Sequence, residues 1–258
     1  MKQAILISTG LLLTTPFIHA EKNKDKKPNV VFILADDLGY GDLSCYGQEK
    51  FETPNIDKLA QSGMRFTQCY SGTTVSAPSR SCLLTGTHSG HTPVRGNLEL
   101  DPEGQFPLPD DARTIFEVMK DAGYKTSAFG KWGLGYIGST GDPKNQGCDT
   151  FYGYNCQLLA HSYYPDHRVE LEDNNLNVQY GKGTYSQDLI HGKALEYLDN
   201  MNPDEPFFMW YPTIIPHAEL IVPEDSIIQK FRGMYPEKPY KGTEPGSPAF
   251  RKGGYCSQ

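Results

Sequence analysis

Asn29-Val30-Val31-Phe32-Ile33-Leu34-Ala35-Asp36-Asp37 is a continuous apolar run closed by two adjacent carboxylates. A run of this length bounded by turn residues fits a strand buried on both faces of a parallel sheet. In open α/β sheets the ligand crevice lies beyond the carboxyl ends of the strands, which is where this run delivers Asp36 and Asp37. Paired hard oxygens there suit a divalent cation such as Ca2+, although an Asp-Asp pair also simply ends strands and caps the next turn of chain.

Downstream, Leu38 to Lys50 is a glycine-rich loop. Thr53 to Gly63 then has a cap, a first-turn proline (Pro54), apolar positions Ile56, Leu59 and Ala60 on one face, and a terminating glycine. Met64 to Tyr70 alternates weakly as a strand. This βαβ grammar leads to Ser76-Ala77-Pro78-Ser79-Arg80-Ser81-Cys82-Leu83-Leu84-Thr85-Gly86, a short helix with Pro78 in its first turn and Gly86 just past its end. Ser76 sits at the helix mouth, where free N–H groups and the positive end of the dipole favour an anion. Arg80, one turn on, adds a charged fork suited to a tetrahedral oxyanion. The plainer alternative is a capping serine with a surface arginine.

His88, His91 and Arg95 fall in a loop from Thr87 to Asn97 and receive no role. Thr114 to Ala122 reads as an amphipathic helix with Ile115, Val118 and Met119 inward, and Tyr124 to Phe129 as the next strand. That strand ends in Gly130-Lys131-Trp132-Gly133-Leu134-Gly135, where glycines present a lysine able to act as a point charge. Gly141 to Gly183 has little periodicity and much Tyr, Asn and His. Aromatics and neutral donors there, His161 among them, suit sugar rings as well as ordinary loop packing. Ser186 opens a helix running to about Asn200, and Pro206 to Tyr211 is a further buried strand. Past its end lies His217, whose pKa range fits proton transfer to a leaving alcohol.

The 258 residues suffice for one sizeable core. A formal net charge of −7 argues against a nucleic-acid partner, which wants a basic face, so any anion site must be local. With 26 glycines and 19 prolines the chain is loop-rich rather than a helical bundle. Residues 1–20 read as a secretory signal peptide: Lys2 supplies the positive charge, Ala4 to Leu13 the apolar run, and Ala20 the small residue at the end. The run is too short for a stable membrane anchor. The expected address is therefore exported, periplasmic or secreted. Residues 21–27 form a charged linker and 28–258 the fold. Six cysteines show no zinc spacing; Cys148 and Cys156 are the closest candidate disulfide pair, and small packing residues are the expectation for most.

Residues Ser76 to Gly86 resemble the signature of the type I, formylglycine-dependent sulfatases: Cys or Ser, any residue, Pro, Ser, Arg, then a run ending in Leu-Thr-Gly. The resemblance implies that Ser76 is oxidised to formylglycine (3-oxoalanine) by a serine-type sulfatase-maturating enzyme, and it points to a bacterial source. A hydrated aldehyde carries two hydroxyls on one carbon, one to attack sulfur and one to expel sulfate, which a plain serine lacks. The same resemblance implies that Asp36, Asp37 and the modified Ser76 bind Ca2+, that Arg80 and Lys131 steady the nucleophile and the transferring group, and that His217 is the acid. Lys131 matches the lysine of the family segment Gly-Lys-Trp-His-Leu-Gly, but Gly133 stands where many members carry a histidine that holds the nucleophile.

The implied fold is alkaline-phosphatase-like: a mixed, mostly parallel sheet flanked by helices, truncated before the C-terminal part, so that 28–258 is the N-terminal portion of a catalytic domain. The implied substrate is a sulfated glycan, with His161 as a substrate contact. Two rivals stand beside this reading. One is a phosphatase or phosphonate hydrolase of the same superfamily using unmodified Ser76, for which zinc and more histidine ligands are expected. The other is a non-catalytic sugar-binding fragment.

Overall fold

The computed structural model describes residues 26–100, 105–157, 159–164, 172–173, 176–177, 183–217 and 220–236. The expected signal peptide, nearly all of the linker, and Cys256 lie outside them. Six strands form one sheet: β1 (Val30–Asp36), β2 (Lys125–Lys131), β3 (Thr150–Tyr154), β4 (Glu172–Asp173), β5 (Leu176–Asn177) and β6 (Phe207–Pro216). The order is β1-β6-β2-β3-β4-β5. Pairing is parallel from β1 through β6 and β2 to β3, and antiparallel for β4 and β5. The mixed, mostly parallel sheet read from the sequence is therefore present.

Helices cover both faces. α2 (Ser76–Thr85) and α3 (Ile115–Asp121) lie on one side, with Ala77, Leu84 and Phe116 packed against Ala128, Phe208 and Trp210. α4 (Ser186–Asp199) lies on the other, with Ile190 and Ala194 packed against Phe129, Phe207 and Met209. The period of two in β6 sends Phe208 and Trp210 to one core and Phe207 and Met209 to the other. Phe116 anchors the first core through edge-on ring contacts with Phe208 at 5.3 Å and Trp210 at 6.0 Å. It replaces Val118 as the inward residue of α3, because the helix begins at Ile115 behind a Thr114 cap boxed by Glu117. Val118 is exposed.

β1 departs from its expected double burial. It occupies the edge of the described sheet, paired with β6 on one side. Val30 and Leu34 pack against the first core, whereas Val31 and Ile33, on the opposite side of the pleat, are exposed, Ile33 by 63%. α4 packs over β2, β3 and β6 and leaves that face of β1 open. α1 (Pro54–Ser62) has its expected bounds, yet Ile56 and Leu59 are exposed. Met64 to Tyr70 forms no strand. β3 went unread because its sequence, TFYGY, lies inside a stretch without clear periodicity. A further short helix, α5 (Ser226–Phe231), begins behind an Asp225 cap.

Close strand approach explains one glycine. A β-carbon on Gly130, whose φ is +135°, would sit 2.1 Å from the carbonyl oxygen of Pro212 on β6. Cys148 is a free buried thiol donating to the Thr150 carbonyl, and burial raises its pKa, so the pairing considered for Cys148 and Cys156 is not formed.

Candidate active site

Three parallel strands deliver the site residues to one sheet end. Asp36 is the last residue of β1, Lys131 the last of β2, and His217 comes directly after β6. The β1–β6 register slips between Ala35 and Asp36, which pair with Thr213 and Pro216. This irregularity re-aims the end of the strand, as bulges beside sites do. Asp37 then takes φ 61°, a left-handed conformation uncommon for a side chain larger than glycine, and turns its carboxylate outward.

α2 brings in Ser76 and Arg80 one turn apart. Val75, not Ser76, is the N-cap, so the Ser76 hydroxyl is not spent on capping and instead accepts from Arg80 Nε at 2.9 Å. The surface-arginine alternative fails, since Arg80 is buried. Its fork is engaged by the protein: Nη1 donates to the Lys131 carbonyl at 2.5 Å and Nη2 to Asp36 Oδ2 at 3.2 Å, with the guanidinium 5.8 Å from the Trp210 ring centre. Lys131, fully buried, places Nζ 2.8 Å from the same Asp36 oxygen. Two cations thus converge on one carboxylate. Burial alone would raise the Asp36 pKa, but Arg80 and Lys131 outweigh it and hold the carboxyl below its usual range.

Burial pushes Lys131 down from the usual 10.5 to about 8; Arg80 adds to the push and Asp36 opposes it. Between about pH 8 and 10.5 the unfolded chain keeps a proton that the folded chain has shed, so unfolding free energy rises with pH across that window. Urea midpoints measured with a chelator present are expected to show this rise, and Lys131→Met is expected to lack it.

The cavity at this sheet end measures about 520 Å³, within the range of small-molecule sites, and Asp37, Ser76, Asn97, Gln157, His161 and His217 are among its walls. His217 Nε2 lies 3.4 Å from Asp37 Oδ2. Its ring stacks on His161 with centres 4.8 Å apart and planes 2° from parallel, and its carbonyl accepts from the Tyr163 hydroxyl. Asp36, Asp37 and His217 offer ligand atoms all within 4.8 Å of one another.

Every site residue expected from the sequence therefore reaches this sheet end, with Lys131 behind Asp36 rather than in the cavity wall. Two residues went unread. Asn97 caps α2 from outside, accepting from Ala77 N at 2.8 Å. Gln157 lies just beyond β3 and packs against Gly133. Neither lies in a motif of its own; the vacancy at Gly133 was the only signal toward Gln157. His88 and Arg95 order their own loop instead, through Gly90 N to His88 Nδ1 at 3.1 Å and Arg95 Nη2 to Gly90 O at 2.7 Å.

Comparison with known proteins agrees with this geometry. The profile of the family described as Sulfatase matches residues 28–248. An N-acetylglucosamine-6-O-sulfatase of Bacteroides thetaiotaomicron is 32% identical over 214 residues, covering 83% of this chain and 35% of the relative. An arylsulfatase of Klebsiella aerogenes is 33% identical over 256 residues, covering 91% of this chain and 52% of the relative. The crystal structure of Ps i-CgsB in complex with k-i-k-neocarrahexaose superposes with a TM-score of 0.73 at 29% identity, over 82% of this chain and 50% of that one. The chain belongs to the sulfatase family of sulfuric ester hydrolases. It spans about a third to a half of the length of these relatives.

Proposed function

We propose that the protein hydrolyses sulfate esters of a sulfated carbohydrate through a formylglycine made from Ser76, assisted by Ca2+. The observation that carries this is the Ser76 hydroxyl, released from capping duty at a helix mouth and held by Arg80 at the wall of a cavity that also holds a carboxylate–histidine cluster. The similarity to an N-acetylglucosamine-6-O-sulfatase and to a structure carrying an oligosaccharide supports a sugar substrate.

Asp36 and Asp37 would hold Ca2+. Their oxygens fit a hard cation, and both buried cations engage Asp36 through Oδ2 only. Bound there, Ca2+ would offset charge on sulfate oxygens. Among the described residues this cluster contains one histidine, short of the set expected for a zinc phosphatase. Formed at residue 76, a hydrated aldehyde would offer two hydroxyls on one carbon, one suited to attack sulfur and one whose deprotonation would release sulfate.

The chain's own side chains set the stage for that chemistry. Arg80 Nε fixes the direction of the residue-76 oxygen. Arg80 and Lys131 keep Asp36 ionised. Asp37 Oδ2, 3.4 Å from His217 Nε2, and the stacked His161 ring flank the imidazole that would hand a proton to the departing sugar oxygen. The leader-like pattern of residues 1–20 supports export to the periplasm or beyond.

The test is the mass of the tryptic peptide Phe66 to Arg80 from protein made with and without a serine-type maturating enzyme. Loss of two hydrogens from Ser76 only when that enzyme is present is the expected result. An unchanged peptide in both preparations removes formylglycine chemistry.

A further inference from the structure

The wall of the cavity beside Gly133 is filled by a side chain from another strand end. Gly133 has φ +75°, and a β-carbon there would lie 2.9 Å from Gln157 Nε2, 3.0 Å from its Cγ and 3.3 Å from its Cδ. Residue 133 and Gln157 compete for one volume, so a side chain at 133 would displace Gln157. Backbone hydrogen bonds fix the two segments against each other: Trp132 N to Tyr154 O at 2.8 Å and Gly133 N to Asn155 O at 2.9 Å. Gln157 is only 4% exposed, yet it lines the cavity with Ser76, His161 and His217.

We propose that the Gln157 carboxamide is a specificity-determining substrate contact that hydrogen-bonds a hydroxyl of the sulfated sugar, seated in the space left by Gly133. A primary amide offers two N–H donors and a carbonyl acceptor. One donor points to the Gly133 carbonyl at 3.5 Å, which leaves a donor and an acceptor for the cavity. A sulfate oxygen only accepts, whereas a hydroxyl both donates and accepts and so matches the amide. A buried amide without its partner is costly, so a site built around one discriminates for ligands that supply the partner. This inference rests on the sulfatase reading above and adds the group that reads the sugar.

The experiment compares the intact, matured protein with its Gln157→Ala and Gly133→Ala variants on N-acetylglucosamine 6-sulfate and on 4-methylumbelliferyl sulfate, which lacks sugar hydroxyls. The ratio of kcat/KM for the sugar to that for the aryl ester is expected to fall about tenfold in each variant, mainly through KM of the sugar. Binding of the same sugar to Ser76→Ala protein is expected to weaken about tenfold when Gln157→Ala is added. An equal loss on both esters assigns Gln157 to the nucleophile or the scaffold and overturns the proposal. So does failure of the sugar to bind the Ser76→Ala protein, or an unchanged ratio in an active enzyme, and these leave the sulfatase reading standing. If the wild type hydrolyses neither ester while sugar binding still depends on Gln157, the sulfatase reading fails and the contact survives.

Discussion

On the proposed mechanism, Ser76→Ala is expected to reduce sulfate-ester hydrolysis by at least about 10⁴-fold, because losing the proposed nucleophile leaves only binding and electrostatic assistance. The fold should survive the change. Ser76 is not the cap of α2, a role Val75 fills, so no capping bond is lost. The one bond broken is that from Arg80 Nε, and the cavity can supply water to the freed donor. The expected stability cost is about 1 kcal/mol. Hydrolysis of 4-methylumbelliferyl sulfate together with thermal unfolding separates the two effects. Retention of more than about a hundredth of the wild-type rate would show that residue 76 is not the attacking group.

Asp36→Asn carries the largest expected effect on stability. Asp36 Oδ2 is the shared acceptor of Arg80 Nη2 and Lys131 Nζ, and all three side chains are nearly or fully buried. Neutralising it leaves two buried cations facing each other with only the weaker influence of Asp37 as counter-charge. Lys131, already down at about 8, can escape by shedding its proton more readily still; Arg80 cannot. Breaking a buried ion pair from one side costs about 3–5 kcal/mol, which for a domain of this size corresponds to a fall in Tm on the order of 10 °C. On the proposed Ca2+ site, added Ca2+ is expected to raise the wild-type Tm by mass action and to leave that of Asp36→Asn unchanged. A variant as stable as the wild type would mean that Asp36 is not the electrostatic keystone of this sheet end.

The parts of the molecule legible in the sequence were those whose signals are local. The proline and glycine marking α2 sit where the helix begins and ends, with Gly86 left-handed at the C-cap. Pro54 and Gly63 likewise bracket α1, with Gly63 extended at the C-cap. Asp36, Lys131 and His217 were placed by strand ends, because a parallel sheet gathers such ends on one side. What local pattern does not encode is which strand lies at the margin. β1 reads like a central strand, yet among the described strands it takes the edge position, where one face of its apolar run is exposed. Nor does spacing show what a side chain is spent on. Arg80 was read as a fork for an incoming anion, and three of its nitrogens instead hold Ser76, Lys131 and Asp36. Gln157 was invisible for a related reason: its place in the cavity wall depends on the absence of a side chain at Gly133, 24 residues away.

The margin formed by β1 bears on how the molecule behaves in concentrated solution. Beyond β1 no described strand continues the ladder, and Val31 and Ile33 lie open beside its unpaired amides and carbonyls. Such a border recruits strands from neighbouring molecules unless something caps it. Among the described residues, the apolar surface beside that border is Val31 and Ile33 on one face of β1, in contrast to the packed cores on either side of β6.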